Sequence, residues 1–182
     1  MSKKDILNIV DENDEVIGEA SREKIHKEGL LHREVGVWFY NKKGEVIFQL
    51  RGLNQETYPN LLDATAGGHV EMGDNYQDTA VKEVKEETGI DIKGDSLVLV
   101  AKTRSKSFDQ STGKINNKYG VYFIYQYDDD IENLLPTEGQ RFESWLVDKL
   151  LNIKETDKIK FIPSTFKSEK QKVFQKIKEL TS

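Results

Sequence analysis

The chain has 182 residues, of which 36% are hydrophobic and 32% are charged, and its formal net charge is -5. This length predicts a single domain over residues 1–182 that is large enough to bury a core. The acidic balance argues against a nucleic-acid polymer as a partner, because proteins that bind such polymers usually present a basic face. A small anionic substrate is compatible with it if a bound metal ion supplies positive charge.

The absence of cysteine excludes disulfides, thiolate metal ligands and a thiol nucleophile. The opening stretch, MSKKDILNIVDEND, holds too few apolar residues for the core of a signal peptide. No apolar run in the sequence approaches the length of a membrane span. We therefore expect a cytoplasmic protein without a membrane partner.

Residues 1–30 predict an N-terminal hairpin followed by a short helix. Two short apolar stretches, residues 6–10 and 16–18, flank a polar turn. Residues 21–28 then predict a helix, and Gly29 provides the residue that commonly ends one.

Several apolar stretches separated by polar loops predict the strands of a central sheet. Residues 34–40 are apolar on both faces, as expected of a central strand that is buried on two sides. Residues 45–50 return after a loop that contains glycine, and residues 97–106 and 118–127 predict a second, longer hairpin. A strand that contains Trp145 leads into another short helix.

The segment of residues 164–182 contains a final amphipathic helix, predicted from Ser168 to Leu180. Ser168 and Gln171 have the spacing of a capping box. The apolar stripe of this helix consists of Val173, Phe174, Ile177 and Leu180. Strands interleaved with helices on both sides of a mixed sheet indicate an α/β fold.

The densest chemical pattern is GGHVEMGDNYQDTAVKEVKEETGI, residues 67–90. Asp74 predicts a helix N-cap, with Gln77 three residues on as in a capping box. Gly89 predicts the helix end, since glycine adopts the left-handed conformation without a Cβ penalty. Residues 75–88 therefore predict a helix of about four turns.

Three glutamates share one side of this helix. Glu83 is three residues from Glu86 and four from Glu87, so the carboxylates are neighbours and repel one another. Lys82 and Lys85 are local counter-charges, and Lys82 has the i,i+4 spacing of an ion pair with Glu86. A hard divalent cation would compensate better, because Mg²⁺ prefers oxygen ligands. On helical spacing alone, a solvated acidic face is the commoner explanation.

The spacing of the whole stretch from Gly68 to Ile90 favours a functional site over a solvated acidic face. From Gly68, five residues lead to Asp74 and seven more lead to Lys82-Glu83-Val84, followed by Glu86-Glu87 and Gly89-Ile90. This pattern resembles the signature of the Nudix hydrolase family, Gly-x5-Glu-x7-Arg-Glu-U-x-Glu-Glu-x-Gly-U with U an aliphatic residue. Seven of the nine fixed positions match, so the pattern is far more specific than a lone glycine-rich loop.

The resemblance implies an α/β/α sandwich with a mixed sheet and a metal-dependent hydrolase. Its substrate would be a nucleotide or nucleoside diphosphate derivative, split at the diphosphate linkage. The family's metal ligands and catalytic carboxylates fall on Glu83, Glu86 and Glu87, and its backbone carbonyl ligand falls on Gly67. The implied cofactor is Mg²⁺ or Mn²⁺.

Two positions depart from the family pattern. Asp74 stands where the family has glutamate, and Lys82 where it has arginine. A lysine cannot form the planar two-pronged bond of a guanidinium to a carboxylate, so the glutamates are expected to be held less firmly.

Several roles stay open at the level of sequence. The general base varies in this family, and four residues here could serve: Glu71, Glu86, Glu138 and His69. Arg51, at the end of a strand, could meet a substrate phosphate, although an arginine there is more often solvated.

A second interpretation is isopentenyl diphosphate isomerase, whose fold is that of the Nudix proteins. The N-terminal half is similar to that branch, whose metal site uses histidines at positions like His26, His32 and His69. The branch also needs a cysteine, which aligns near Gly67, and two glutamates, which align near Asn116 and Lys118. Its chemistry should therefore be absent.

A third interpretation is a catalytically silent binding module of the same fold. The conservative departures at Asp74 and Lys82 make it possible, whereas retention of all three glutamates argues against it.

Overall fold

A computed structural model describes residues 6–110 and 112–182. In chain order the elements are β1 (Ile6–Val10), β2 (Val16–Ser21), α1 (Arg22–Glu28), β3 (His32–Tyr40), β4 (Glu45–Arg51), β5 (Leu62–Asp63), β6 (Ala66–His69), α2 (Tyr76–Thr88), β7 (Val98–Phe108), β8 (Ile115–Gln126), β9 (Gly139–Leu146), α3 (Val147–Leu151), α4 (Glu155–Lys158) and α5 (Ser168–Leu180). Within these residues, no helix is both long and apolar enough to cross a membrane.

Seven of the strands form one mixed sheet. Its order is β5-β4-β3-β8-β7, with β6 paired to β3 and β9 paired to β4. β3 and β8 run parallel along nine residues, while the other strand pairs are antiparallel. The prediction of a mixed sheet with β3 at its centre is confirmed.

Each face of the sheet buries its own helix, because neighbouring residues of a strand point to opposite sides. Along β3, Trp38 and Tyr40 pack in a cluster with α5, whereas Val37 and Phe39 pack in a cluster with α2. To these clusters α5 contributes Val173, Phe174 and Ile177, α3 contributes Val147 and Leu150 on the same side, and α2 contributes Ala80 and Val84 on the other. The predicted α/β/α layering is confirmed.

The N-terminal hairpin, β1 and β2, is a separate two-stranded sheet that is tied to the body by its turn. Asp14, in the turn, has a left-handed φ of 64° and a buried side chain. Its carboxylate accepts hydrogen bonds from Arg33 Nε at 2.7 Å and from the Tyr76 hydroxyl at 2.9 Å. The hairpin is thereby fixed to β3 and α2, and it carries α1 with it.

The predicted cap of α2 is wrong by one residue. Asn75 is the N-cap, and its side-chain oxygen accepts from the Asp78 backbone N–H at 2.9 Å. The backbone N–H of Asp74 is bonded to the Glu71 carbonyl at 3.1 Å, so Asp74 belongs to the preceding turn. The predicted end is confirmed, since Gly89 closes the helix with a φ of 76°.

The predicted capping box of α5 is also wrong. Lys167 occupies the N-cap without a side-chain cap, and the Ser168 hydroxyl bonds to the Glu169 carboxylate instead. Gln171 donates to the Phe166 carbonyl at 3.3 Å, outside the helix. Most of the apolar stripe is buried, but Leu180 is 48% exposed because it extends past the core.

Candidate active site

Helix α2 lays its glutamates against the glycine-rich strand β6. A Cβ at Gly68 would lie 2.1 Å from Glu83 Oε1, so glycine leaves room for the carboxylate in this position. Glu87 is held from two sides, by Gln49 Nε2 at 3.0 Å and by the backbone N–H of Gly67 at 3.4 Å. The small residues of β6 therefore leave room for the carboxylates of Glu83 and Glu87 to pack against this strand.

Burial and mutual repulsion keep protons on these carboxylates. The pKa of Glu83 is raised to about 7 by burial first, and then by the charges of Glu86 and Glu138. The pKa of Glu87 is raised well above its ordinary value by burial and then by the charges of Glu83 and Glu138. A cation that replaced those protons would relieve both effects.

Lys82 does not make its predicted ion pair with Glu86. Its ammonium lies 2.7 Å from Glu71 Oε2 and 3.9 Å from Asp74 Oδ2, on the turn that precedes α2. The hydrogen bond to Glu71 is the main cause that raises the Lys82 pKa, and the charge of Glu86 adds to it at longer range. The two positions that depart from the family pattern are thus in contact with each other.

The carboxylates of α2 have the chemistry that a hard divalent cation prefers, although their oxygens are not gathered within 4.8 Å of one another as the histidine nitrogens are. Lys85 pairs with Asp91, so neither lysine of the helix forms an ion pair with the glutamate cluster among the described residues. Glu83 has no hydrogen bond or ion pair within that part of the chain, although its carboxylate is largely buried. Clustered carboxylate oxygens are the ligands that Mg²⁺ and Mn²⁺ prefer. The metal role of the three glutamates and of the Gly67 carbonyl stays a prediction.

Arg51 is engaged by its own loop. Its Nη1 lies 3.1 Å from Asp63 Oδ2, its Nη2 donates to the Thr57 carbonyl at 2.8 Å, and its Nε lies 3.2 Å from the carbonyls of Thr57 and Tyr58. These contacts hold the loop between β4 and β5, and the predicted contact with a substrate phosphate remains a prediction.

A cleft opens between the loop that follows β4 and the segment where β9 begins. It has a volume of about 390 Å³ and is lined by residues 52–55 on one side and 138–140 on the other. Glu138 therefore borders both the cleft and the glutamate cluster, whose pKa values its charge raises.

A second cluster of ionisable residues lies on the opposite face of the sheet. His26, His32 and His69 each place a ring nitrogen within 4.8 Å of those of the other two. The Nε2 atoms of His26 and His69 are 3.0 Å apart. His32, Glu34 and Trp38 lie on the side of β3 that packs against α5. His69 is paired with Glu34 in the sheet and lies on that same side. It therefore cannot serve as general base at the acidic site.

Burial lowers the pKa values of all three histidines. It brings His26 and His32 to about 4, and the positive charge of His32 adds to the effect on His26. Burial is also the main cause of the fall at His69, whose pKa lies well below its ordinary value. The rings are therefore neutral near pH 7, which leaves lone pairs available.

Glu34 completes this histidine cluster and was missed in the sequence. Its Oε1 lies 3.3 Å from His69 Nε2 and 3.6 Å from His32 Nε2. Asn116 Nδ2 donates to Glu34 at 3.0 Å, and the Lys118 ammonium also contacts this carboxylate. The spacing of His32 and Glu34 was the available signal, because residues two apart in a strand share a face.

Comparison with known proteins identifies the family. The model of the NUDIX domain matches residues 30–166, which is well over half of the chain. The protein belongs to the Nudix hydrolase family. Members of this family generally use divalent metal ions.

Relatives and solved structures agree with this assignment. An uncharacterized Nudix hydrolase of Clostridium acetobutylicum is 31% identical over 135 residues, which cover 72% of this chain and 64% of that relative. A crystal structure from Deinococcus radiodurans aligns with a TM-score of 0.65 at 23% identity, over 96% of this chain and 98% of that one. The NUDIX domain of Shewanella oneidensis NrtR, complexed with ADP ribose, aligns at 0.57 and 11% identity, over 84% and 88%. At these identities the two structures establish the fold alone.

Proposed function

We propose that the protein hydrolyses the diphosphate linkage of a nucleotide or nucleoside diphosphate derivative, with Mg²⁺ or Mn²⁺ as cofactor. One observation carries the proposal: buried carboxylates of α2 face the glycine strand β6, and their charges raise one another's pKa values. Such a cluster is costly unless a cation joins it. The ADP ribose bound by the Shewanella oneidensis relative supports a nucleotide-derived substrate.

The residues of the proposed active site have different roles. Gln49 and the Gly67 N–H fix the orientation of Glu87, and Gly68 of β6 leaves room for the Glu83 carboxylate. Together with Glu86 these carboxylates would hold the cation, which polarises the phosphorus–oxygen bonds and acidifies a water molecule. The cleft beside residues 138–140 would receive the substrate next to them.

A panel of substrates tests the proposal. Purified protein is incubated with ADP ribose, nucleoside diphosphates and nucleoside triphosphates, and phosphate-containing products are measured with Mg²⁺, with Mn²⁺ and with a chelator. We expect turnover of at least one substrate that depends on the metal. A protein that releases no product from any of them, with either metal, is the silent binding module instead.

We also propose that the chain does not isomerise isopentenyl diphosphate. Gly67 lacks the thiol that the isomerase needs, and Asn116 and Lys118 stand where it has glutamates. The expected result is no dimethylallyl diphosphate above a blank that contains metal only. Conversion above that blank would assign the chain to the isomerase branch.

The histidine cluster supports a second metal, which we propose as a separate binding function. Three neutral imidazoles and Glu34 form a donor set of nitrogen and oxygen atoms, which suits Zn²⁺ and related transition metals better than Mg²⁺. The Nε2 of the fully buried His32 makes no hydrogen bond with the residues that the structure describes, which supports this assignment. Calorimetry of metal-free protein with Zn²⁺ tests it, with Mg²⁺ as the comparison ion.

A further inference from the structure

We propose that Glu138 is the general base of this hydrolysis. Its carboxylate takes a proton from the water molecule that attacks phosphorus. The inference rests on the proposed function and adds to it the group that activates the nucleophile.

The backbone around Glu138 is anchored on both sides. The Thr137 hydroxyl donates to the carbonyl of Glu86 on α2. Gln140 Nε2 donates to the Arg51 carbonyl at 2.8 Å and to Asn60 Oδ1 at 3.0 Å, on the opposite side of the cleft. Glu138 is therefore positioned between the acidic helix and the loop that lines the cleft.

Gly139 brings this segment against the residue that orients Glu87. A Cβ at Gly139 would lie 2.6 Å from Gln49 Cγ and 2.9 Å from the Leu50 carbonyl. Gln49 in turn donates to Glu87 Oε2 at 3.0 Å. Only glycine permits this contact. Glu138, one residue before Gly139, is therefore held close to Gln49, the residue that orients Glu87.

The side chain of Glu138 is available for proton transfer. It is exposed, and it makes no hydrogen bond or ion pair with the residues that the structure describes. The residues on either side of it contact α2 and Gln49, which places Glu138 close to the acidic helix. A base needs this combination of proximity and an unoccupied carboxylate.

The other candidates are engaged elsewhere. Glu71 is paired with Lys82 at 2.7 Å, which neutralises it. His69 lies on the opposite face of the sheet, 3.0 Å from His26. Glu86 belongs to the carboxylate set that would hold the cation, which leaves Glu138 as the base.

The step balances without a further reactant. The water oxygen forms a bond to phosphorus while its proton moves to the Glu138 carboxylate. The bond between phosphorus and the bridging oxygen breaks, and its electron pair stays with the leaving phosphate. The proton then passes from Glu138 to solvent, or to the leaving group, and the base is restored.

The test is Glu138→Gln beside Glu138→Asp, with the exposed Glu132→Gln as the matched control. With wild-type protein active, we expect kcat of Glu138→Gln to fall about 100-fold or more, as for loss of a general base. Glu138→Asp should fall less, because it keeps a carboxylate with a shorter reach. Mn²⁺ affinity by calorimetry and the melting temperature should match those of wild type and of the control.

Three results would overturn the inference. An unchanged kcat in Glu138→Gln removes the base while leaving the proposed hydrolysis intact. A parallel loss of Mn²⁺ affinity makes Glu138 a metal ligand rather than a base. Wild-type protein without any metal-dependent hydrolysis removes the proposed function itself, and the base with it.

Discussion

The two faces of the sheet show what burial does to ionisable groups of opposite type. On the α2 face, burial raises the pKa of Glu83 to about 7, while on the α5 face it lowers the pKa of His32 to about 4. In both places the neutral form is favoured. The consequences differ, because neutral imidazoles are ready to bind a metal, whereas the glutamates must first lose protons.

The comparison also separates the kinds of cation. The acidic face offers oxygen ligands, which suit hard ions such as Mg²⁺, and the histidine face offers mainly nitrogen ligands, which suit Zn²⁺. The sheet separates the two sets, since His69 points away from α2 while the neighbouring Gly68 faces Glu83. We expect a substitution that disrupts one site to leave the other site intact.

The largest expected effect comes from Glu86→Gln. Removing this charge from the cluster weakens metal binding and water activation together, which contribute several kcal/mol to catalysis. We expect kcat/KM to fall about 1,000-fold or more, with an unchanged melting temperature. Activity at saturating Mg²⁺ is measured beside Glu132→Gln. Equal turnover in wild type and Glu86→Gln would contradict the assignment of the acidic site.

His32→Asn tests the other face. Loss of a ligand should cost more than loss of its supporting contacts, so we expect Zn²⁺ affinity to fall about 100-fold or more. Calorimetry measures the affinity, and the variant Glu86→Gln serves as the control that should bind Zn²⁺ normally. Zn²⁺ binding that survives in His32→Asn would remove the histidine site.

The pH dependence of stability should have opposite signs at the two sites. Between pH 4.5 and about 7 the folded protein holds a proton on Glu83 that the unfolded chain has released, so stability falls as pH rises. Between pH 6.5 and about 4, His32 is protonated in the unfolded chain but stays neutral in the folded protein. Stability therefore falls as pH drops.

Urea unfolding of metal-free protein checks these signs. Above pH 7, Glu83→Gln should be more stable than wild type by on the order of 1 to 3 kcal/mol, and the difference should vanish near pH 4.5. His32→Asn should flatten the acid side of the curve instead. If Glu83→Gln and wild type have the same pH profile, the raised pKa is wrong.

The smallest effect concerns Lys82 and Asp74, which are 3.9 Å apart. Lys82→Arg can form a two-pronged bond with Glu71, and Asp74→Glu restores the longer side chain of the family pattern. Residues in contact couple by about 0.5 kcal/mol or more, so the double variant should differ from the sum of the single ones in kcat/KM. Lys85→Arg, whose partner Asp91 is remote from the cluster, is the control. Strict additivity would show that the pair does not support the glutamates.

Regular periodicity made much of the fold predictable. The apolar run of β3 identified the central strand, and the i,i+3 and i,i+4 spacing placed Glu83, Glu86 and Glu87 along one side of α2. The cap of α2 was predicted one residue too early, because Asp74 and Asn75 are both good N-caps and only the turn geometry selects Asn75.

Contacts distant in the chain were not predictable from local patterns. Lys82 has an i,i+4 neighbour in Glu86, yet it pairs with Glu71, because the turn before α2 folds back onto the helix. Glu34 meets the histidines only after β3, β6 and α1 have assembled. The partners of Arg51 lie in a loop without periodicity, which no spacing rule places.

The most direct test of the account compares Glu86→Gln with His32→Asn in one Mg²⁺-dependent assay. Both variants are measured for kcat/KM on whichever nucleotide wild-type protein hydrolyses, after Zn²⁺ has been removed. The account predicts that Glu86→Gln loses nearly all activity, whereas His32→Asn retains that of wild type, because hydrolysis takes place on the α2 face. Equal loss in the two variants, or loss in His32→Asn alone, would contradict it.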